Sequence, residues 1–251
     1  MVSDVKGVLA FVCLVMLGFS SFAQQTSADF KRTLYRHEQH FGAGIHTSGF
    51  GLEFVRSVRP IGRKQINFKL DWVSMKHPKE VKVYHPFYES ARGYYYGKMN
   101  GFSITRIGVG QTIPFSDKTD RGSVALSFHY AGGYAHGWLK PVYLEIIRQE
   151  TNSDRTYLST ERYDPAEHFV ENIYGRASWL TGFDAIKFQP GAWIKSGIQV
   201  EYGRMEEKVS LLDMGVALDF FPSPVPIMAS DLEKRLFLNL YMTLHVGNRW
   251  N

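Results

Sequence analysis

The stretch LFLNLYMTLHVG, residues 236–247, decides the fold of this chain. Every second residue from Leu236 to Val246 is apolar, and the positions between them include Asn239, Thr243 and His245. A β-strand sends alternate side chains to opposite faces, whereas a helix repeats every ~3.6 residues. The stretch therefore predicts a strand with one apolar and one polar face.

The same alternation occurs in seven other segments. Eight strands are predicted, at roughly 40–47, 50–57, 64–76, 100–114, 121–138, 190–203, 207–221 and 234–247. Between residues 101 and 113 the phase slips by one, which predicts a β-bulge near Thr105 and Arg106. Eight strands are enough to close a barrel, and closure removes the unpaired edges of a sheet.

The polar face of these strands has the composition expected of a narrow barrel interior. It is rich in small residues, which suit the limited space inside an eight-stranded barrel. It also carries charges of both signs that could pair across the lumen. The small residues are Gly42, Gly44, Gly51, Gly108, Gly110, Ala125, Gly197, Gly215, Ala217 and Gly247. The predicted lumenal polar network consists of Glu53, Lys69, Asp71, Arg106, His129, Lys195, Glu201, Asp213, Asp219 and His245.

The lengths of the connections indicate a membrane barrel. Short turns alternate with two long connections, residues 77–99 and 139–189. Short turns at one end and long loops at the other are typical of outer-membrane barrels, whose long loops are extracellular. The predicted fold class is all-β, an eight-stranded antiparallel up-and-down transmembrane barrel with long extracellular loops. A soluble sandwich with core aromatics is the alternative.

The beginning of the chain predicts export. Lys6 precedes an apolar run, and Ser21 with Ala23 places small residues before a cleavage point, so residues 1–23 are expected to be a cleavable signal peptide. Residues 24–39 are then a periplasmic lead-in and residues 40–251 the barrel. Cys13, the one cysteine, lies in the removed segment, so no disulfide is expected.

Composition narrows the function classes. The 251 residues are 44% hydrophobic and 21% charged, which excludes a disordered chain. The net charge of +5 comes without a basic helix or an aromatic RNA-binding platform, so a nucleic-acid partner is not expected. Attraction to anionic lipopolysaccharide head groups is the simpler explanation of the positive charge.

The chain resembles the small outer-membrane β-barrel proteins of the Bacteroidota. The resemblance is carried by Ala23-Gln24-Gln25, by the glycine-alternating segment from Phe41 to Phe54, and by the strand from Leu236 to Val246. It covers essentially the whole mature chain but specifies architecture rather than activity. It implies insertion by the barrel-assembly machinery, and some members resemble accessory subunits of secretion or assembly complexes. Such barrels usually end in an aromatic residue, whereas here Trp250 is followed by Asn251.

Two histidine–serine pairs are the candidate catalytic residues. His46-Thr47-Ser48 has the spacing that resembles outer-membrane lipid A deacylases, in which histidine activates serine, and Ser127-Phe128-His129 is its reverse. Neither has an evident acidic partner. A metal site of His129 and His245 with Asp213 or Asp219 is a second hypothesis, although a paired polar network is the favoured interpretation. No cofactor is expected.

The long loops carry the candidate interaction surface. Exposed aromatic side chains near lysines can bind a glycan or a partner protein, although the rings of residues 84–96 could instead cover one another in a protruding hairpin. Residues 166–174 predict a short helix in a folded cap. The surface comprises Tyr84, Phe87, Tyr94, Tyr95 and Trp179.

Three functions follow from this pattern. The first is a non-catalytic barrel in the outer membrane of a Gram-negative bacterium, structural or accessory to an assembly or secretion complex, which acts through its extracellular loops. The second is a lipid A-modifying enzyme of the same architecture. The third is a passive pore, which a lumen filled with side chains disfavours.

Overall fold

The computed structural model describes residues 35–60, 64–88, 90–116, 124–150, 155–203, 205, 207–229 and 234–251. The predicted signal peptide, 1–23, and residues 24–34 of the predicted lead-in lie outside the described residues. Within the described part of the chain, no helix has the length and apolar character needed to cross a membrane.

Thirteen strands are present among the described residues. They are β1 His37–His46, β2 Gly49–Val58, β3 Gln65–Met75, β4 Lys82–Val83, β5 Tyr94–Tyr95, β6 Asn100–Ser116, β7 Ala125–Pro141, β8 Tyr143–Gln149, β9 Thr156–Arg162, β10 Ile173–Arg176, β11 Lys187–Glu201, β12 Lys208–Val225 and β13 Lys234–Trp250.

Eight of these strands form a closed antiparallel barrel. Their order around the barrel is β1-β13-β12-β11-β7-β6-β3-β2. The barrel closes where β1 pairs with β13, from His37 opposite Trp250 to His46 opposite Tyr241. The predicted fold, an all-β eight-stranded up-and-down barrel, is confirmed. Closure pairs the backbone of both terminal strands, so the sheet has no free edge.

The strand that contains residues 236–247 separates its two faces as its sequence predicts. Leu238 and Leu244 are 63% and 56% exposed, whereas Asn239 and His245 are 2% and 0% exposed. The alternate apolar residues therefore line the outside of the barrel, and the polar residues between them point into the lumen.

The predicted β-bulge near Thr105 and Arg106 is wrong. β3 and β6 pair without a shift from Met75 opposite Phe102 to Gln65 opposite Thr112. Phe102 and Ile104 point inward and are buried, whereas Ile107 and Val109 point outward and are exposed. The phase slip therefore marks the height at which the inward side chains change from polar to apolar.

Apolar side chains fill the barrel at its long-loop end, and this cluster is called the apolar plug. Three rings pack edge to face or tilted within it, with Phe102 lying 5.5 Å from Phe221 and 5.4 Å from Phe237. Ile227 and Met228, just after β12, pack against the same cluster and close this end of the lumen. The plug comprises Val73, Met75, Phe102, Ile104, Ala131, Ala135, Leu139, Trp193, Phe221, Val225, Ile227 and Met228, with Phe237 packed against them.

Gly108 makes room for Trp193, the largest fully buried side chain among the described residues, and Gly133 lets the backbone of β6 approach β7 closely. Gly108 on β6 lies opposite Gly133 on β7, and Trp193 on β11 lies opposite Gly133. A Cβ at Gly108 would lie 2.8 Å from the Trp193 ring and would also overlap the Gly132 carbonyl. Trp193 Nε1 donates to the carbonyl of Ile107 at 3.2 Å, so the indole lies against the barrel wall.

Two small sheets form in the long loops. β8 pairs with both β9 and β10, and β4 pairs with β5. The three-stranded sheet has its own buried cluster, Tyr94, Leu144, Ile146, Tyr163 and Ile173. The predicted helix over residues 166–174 is wrong, because residues 166–172 contain turns and no helix and Ile173 begins β10. Ile173 pairs with Ile146 on β8, so its side chain is buried in the sheet.

We expect Gly108→Val to prevent correct closure, because the added side chain would overlap both the Gly132 carbonyl and the Trp193 ring. Unboiled electrophoresis should show loss of the fast-migrating folded band. Gly101→Val is the matched control, since its nearest neighbour, the Lys140 carbonyl, would be 3.8 Å away. Equal folded fractions for the two variants would contradict the role given to Gly108.

Candidate functional site

The structure places all ten residues of the predicted lumenal network on the inner face of the barrel. Nine are buried and Glu201 is half-buried. Seven of them form three bonded groups centred on Glu53, Asp213 and Asp219, whereas Glu201 and His245 have partners that the sequence analysis did not name.

Glu53 is the centre of the largest group. Lys69 Nζ donates to Glu53 Oε1 at 2.8 Å, and Lys195 Nζ donates to Glu53 Oε2 at 2.5 Å. Lys69 is on β3, next to Glu53 on β2, but Lys195 is on β11 and reaches across the lumen. The carboxylate therefore connects two walls of the barrel, with one ammonium group on each oxygen.

A second set of contacts surrounds Asp213 on β12. His129 Nε2 lies 2.8 Å from Asp213 Oδ1, and the Tyr241 hydroxyl donates to the same oxygen at 3.0 Å. The Lys195 ammonium lies 4.1 Å from the centre of the Tyr241 ring. Lys195 therefore joins the Asp213 group to the Glu53 group.

Arg106 and Asp219 form the third group, nearer the apolar plug. Arg106 Nε donates to Asp219 Oδ1 at 2.7 Å and Nη2 donates to Oδ2 at 2.6 Å. Both side chains are buried. A bidentate pair of this kind fixes the planes of both groups as well as neutralising their charges.

Sequence reasoning missed several lumenal residues near the short-turn end. Arg249 on β13 binds Glu201 through two bonds of 2.8 Å and binds Glu38 on β1 at 2.7 Å. His40 Nδ1 lies 2.9 Å from His245 Nδ1, so one ring donates and the other accepts. Glu38, His40 and Arg249 lie on or beyond the predicted ends of the first and last strands. Their inward position follows from extending the two-residue period by a few positions.

The space left in the lumen is small. A cavity of about 30 Å³ is lined by residues that include Asp71, Arg106, Lys195 and Tyr241. A volume of this size accommodates about one or two water molecules. Asp71 Oδ2 lies 4.0 Å from Lys195 Nζ, and its Oδ1 has no hydrogen-bond partner among the described residues. At this point the side chains of the described residues leave room for little more than water.

The structure does not assemble a histidine–serine dyad at either candidate pair. His46 Nδ1 accepts a bond of 3.3 Å from the backbone N–H of Ser48, in the turn after β1. His129 does have an acidic partner, Asp213, which the sequence analysis names only in the metal hypothesis. However, His129 is completely buried, and its Nδ1 has no partner among the described residues, so no bond to Ser127 is formed.

The residues of the metal hypothesis are divided between different partners. His245 pairs with His40, His129 pairs with Asp213, and Asp219 pairs with Arg106. One ligand-like group does form, since atoms of Glu53, Asp213 and His245 lie within 4.8 Å of one another. Lys69 and Lys195 already donate to the two carboxylate oxygens of Glu53, and their positive charges would repel a divalent cation there.

The predicted loop surface is only partly exposed. Tyr84, Phe87 and Trp179 are 61%, 86% and 68% exposed. Tyr95 is half-buried, with Lys98 Nζ 5.1 Å from its ring centre. The inclusion of Tyr94 was wrong, because Tyr94 is 1% exposed and packs in the cluster beneath the three-stranded loop sheet.

An ion pair connects β8 and β9 in that loop sheet. Arg148 Nε and Nη2 donate to the two oxygens of Glu161 at 2.9 and 2.6 Å, and His168 Nε2 lies 3.2 Å from Glu161 Oε2. The bonds from Arg148 lower the pKa of Glu161 from its ordinary value of 4.5 to about 2. Metal-ligand spacing also occurs at Glu161, Glu167 and His168. However, Arg148 donates to both carboxylate oxygens of Glu161.

Comparisons with known proteins show only distant likeness. No protein-family model and no curated protein matches the sequence. Neisserial surface protein A is 10% identical with a TM-score of 0.41, over 86% of this chain and 97% of that one. A major outer membrane protein from Thermus thermophilus is 8% identical with a TM-score of 0.44, over 86% and 100%. The Yersinia pestis attachment invasion locus protein is 7% identical with a TM-score of 0.40, over 86% and 100%. Because these identities and TM-scores are low, the fold is established by the strand pairing of this chain itself.

We expect Glu53→Gln to lower the free energy of unfolding by about 3–5 kcal/mol, because it leaves two buried ammonium groups without their common partner. Urea titration followed by tryptophan fluorescence measures this loss. Glu171→Gln, at an exposed position, is the matched control and should change stability by less than ~0.5 kcal/mol. Adding Lys69→Met to Glu53→Gln should recover part of the loss, and strictly additive effects would contradict the pairing.

The Arg148–Glu161 pair should stabilise the loop sheet above pH 4.5, the ordinary pKa of the glutamate. A carboxylate whose pKa is depressed on folding loses its contribution as the pH falls toward the folded value, here about 2. Amide exchange of β8 and β9, corrected for the intrinsic rate, should therefore accelerate over this interval. Glu161→Gln should abolish this pH dependence. If the variant showed the same dependence of exchange rate on pH as the intact protein, the role given to the ion pair would be wrong.

Proposed function

We propose that this chain is an integral β-barrel of the outer membrane of a Gram-negative bacterium. The observation that carries the proposal is the continuous apolar outer face of the barrel. Large apolar side chains on all eight barrel strands are between about two-fifths and two-thirds exposed. Burial of apolar surface is worth about 25 cal/mol per Å², and contiguous exposed patches beyond a few hundred Å² are rare in soluble proteins. Examples from each barrel strand are Phe41, Leu52, Phe68, Val109, Phe128, Ile198, Phe220 and Leu240.

The aromatic side chains support the same placement. Trp138 on β7 and Phe188 on β11 lie 5.0 Å apart on the outer face near the long-loop end, with His136 5.1 Å from Trp138. Tyr202 and Trp250 lie at the opposite end, where their strands finish. Aromatic residues at both ends of an apolar belt are typical of membrane–water interfaces.

Within the membrane we propose a non-catalytic scaffold, structural or accessory to an outer-membrane assembly or secretion complex. The lumen supports this role, because its described residues fill it with a polar network and an apolar plug, and the cavity beside Asp71 and Lys195 measures about 30 Å³. Neither histidine–serine pair is arranged for nucleophilic attack, so no observation favours the lipid A-modifying enzyme. A filled lumen also argues against a passive pore.

The partners we propose follow from these surfaces. Lipid and anionic lipopolysaccharide would surround the belt, and the barrel-assembly machinery would insert the chain. A partner protein in the complex would bind the loop module of β4, β5 and β8–β10, which has its own buried cluster. Co-purification from the native membrane, with and without the loop-surface substitution Phe87→Ala, tests the accessory role. A stoichiometric partner that is lost from the variant is expected, and purification of the barrel alone would contradict it.

We expect Leu244→Arg to lower the free energy of unfolding in lipid vesicles by about 2–4 kcal/mol, the cost of a cation near the bilayer midplane. Leu236→Arg is the matched control on the same strand and face. It lies roughly 27 Å along the strand from Leu244, at the long-loop end of the apolar row, and near the interface the change should cost about 0–1 kcal/mol. Denaturant titration measures both. A soluble barrel would tolerate both changes equally, and that result would contradict membrane insertion.

A further inference from the structure

One turn in the longest loop exposes its apolar residues. The Thr181 N–H donates to the Ser178 carbonyl at 3.1 Å, so Trp179 and Leu180 occupy the two central positions of the turn. They are 68% and 71% exposed. Gly, Pro, Asn, Asp and Ser are the usual residues at such positions, because of their backbone conformations and their side-chain hydrogen bonds to the turn, and neither tryptophan nor leucine provides these. A tryptophan and a leucine at the tip therefore indicate that this turn contacts something other than water.

Lys140 locates the turn on the outside of the barrel. Lys140 is two residues beyond Trp138 on β7 and has the same outward orientation, because alternate residues of a strand share a face. Its ammonium lies 4.0 Å from the ring centre of Phe183 and 5.0 Å from that of Trp179, and it donates to the Trp179 carbonyl. The turn thus lies against the outer wall.

The polypeptide on both sides of the turn is attached to the rim of the barrel. The Ala177 N–H donates to the Tyr143 carbonyl at 3.1 Å. Gly182 has a φ of 86°, and a Cβ there would lie 2.7 Å from the Tyr143 ring and 3.1 Å from the Pro141 carbonyl. Only glycine permits both this backbone conformation and this close approach. The turn is therefore held at a defined height, directly beyond the end of β7.

That height adjoins the proposed membrane belt. Trp138 and Phe188 form the aromatic cluster at the long-loop end of the belt. Lys140 follows Trp138 by about 7 Å along the strand. Lys140 thus lies between the aromatic end of the belt and the turn, and its ammonium lies where anionic head groups would be.

We propose that the turn Ser178–Thr181, with Phe183, is an interfacial anchor that inserts Trp179 and Leu180 into the head-group region of the outer leaflet. Tryptophan is favoured at this depth, since its ring is amphipathic, and lysine can direct its charge toward the phosphates. The anchor would hold the loop module at a fixed height above the bilayer. The inference rests on the proposed function, because it requires lipid around the barrel.

Quenching of tryptophan fluorescence in vesicles tests the anchor. The intact protein and its Trp179→Phe variant are compared in vesicles with lipids brominated near the top of the acyl chains. Their difference gives the contribution of Trp179. A Trp72→Phe variant gives the same quantity for an outward-facing residue within the belt. We expect brominated lipid to remove at least half as much of the Trp179 signal as of the Trp72 signal, and aqueous iodide to quench neither strongly.

A tryptophan placed in the loop module, away from the turn, is the control. Tyr157 lies opposite Arg148, five residues along β8 from Tyr143 and so roughly 16 Å from the rim. Tyr157→Trp in the Trp179→Phe background should be quenched by iodide and not by brominated lipid. Quenching of Trp72 by brominated lipid with quenching of Trp179 by iodide alone would overturn the anchor and leave the barrel in the membrane. Failure of brominated lipid to quench Trp72 would overturn the proposed function itself.

Discussion

The paired charge at Glu53 is the interaction on which the interior of this protein depends. A buried carboxylate is tolerated only when its charge is compensated, and here one ammonium group binds each oxygen, at 2.8 and 2.5 Å. Because Lys69 comes from the adjacent strand and Lys195 from across the lumen, the same carboxylate that must be neutralised also connects two walls. The contact of Lys195 with Tyr241 extends this connection to Asp213 and His129.

The lumen combines two kinds of filling that have different consequences. In its polar half, charge pairs from different strands set which residues face each other across the barrel. In its long-loop half, the apolar plug fills the space by packing, and the Trp193 ring lies where a side chain at Gly108 would overlap it. Together they leave little free volume, which is why we assign interaction to the outer wall and the loops. The loop module has a buried cluster of its own, which includes Tyr94 and Ile173.

Particular residues show which parts of the fold can be predicted from the sequence. The alternation around Leu236–Val246 placed strands correctly because the two-residue period depends only on backbone geometry. The same logic failed at Phe102 and Ile104, since it assumed that every apolar residue faces outward. Tyr94 was assigned to the surface because its neighbours are aromatic, although a sheet formed by residues distant in sequence buries it. Residues 166–174 suggested a helix, but pairing of Ile173 with β8 outweighed the local preference.

The sequence by itself determined the number of barrel strands, the outward apolar face and most of the charged residues in the lumen. These depend on residue type and on a period of two, which are local properties. Only the tertiary structure decided that Glu53 meets Lys195, that Arg106 meets Asp219, and that the Trp179 turn lies outside the wall beside Lys140. Those contacts join residues separated by many positions along the chain. Their partners are set by barrel closure and strand register, which act on the whole chain and leave no local pattern in the sequence.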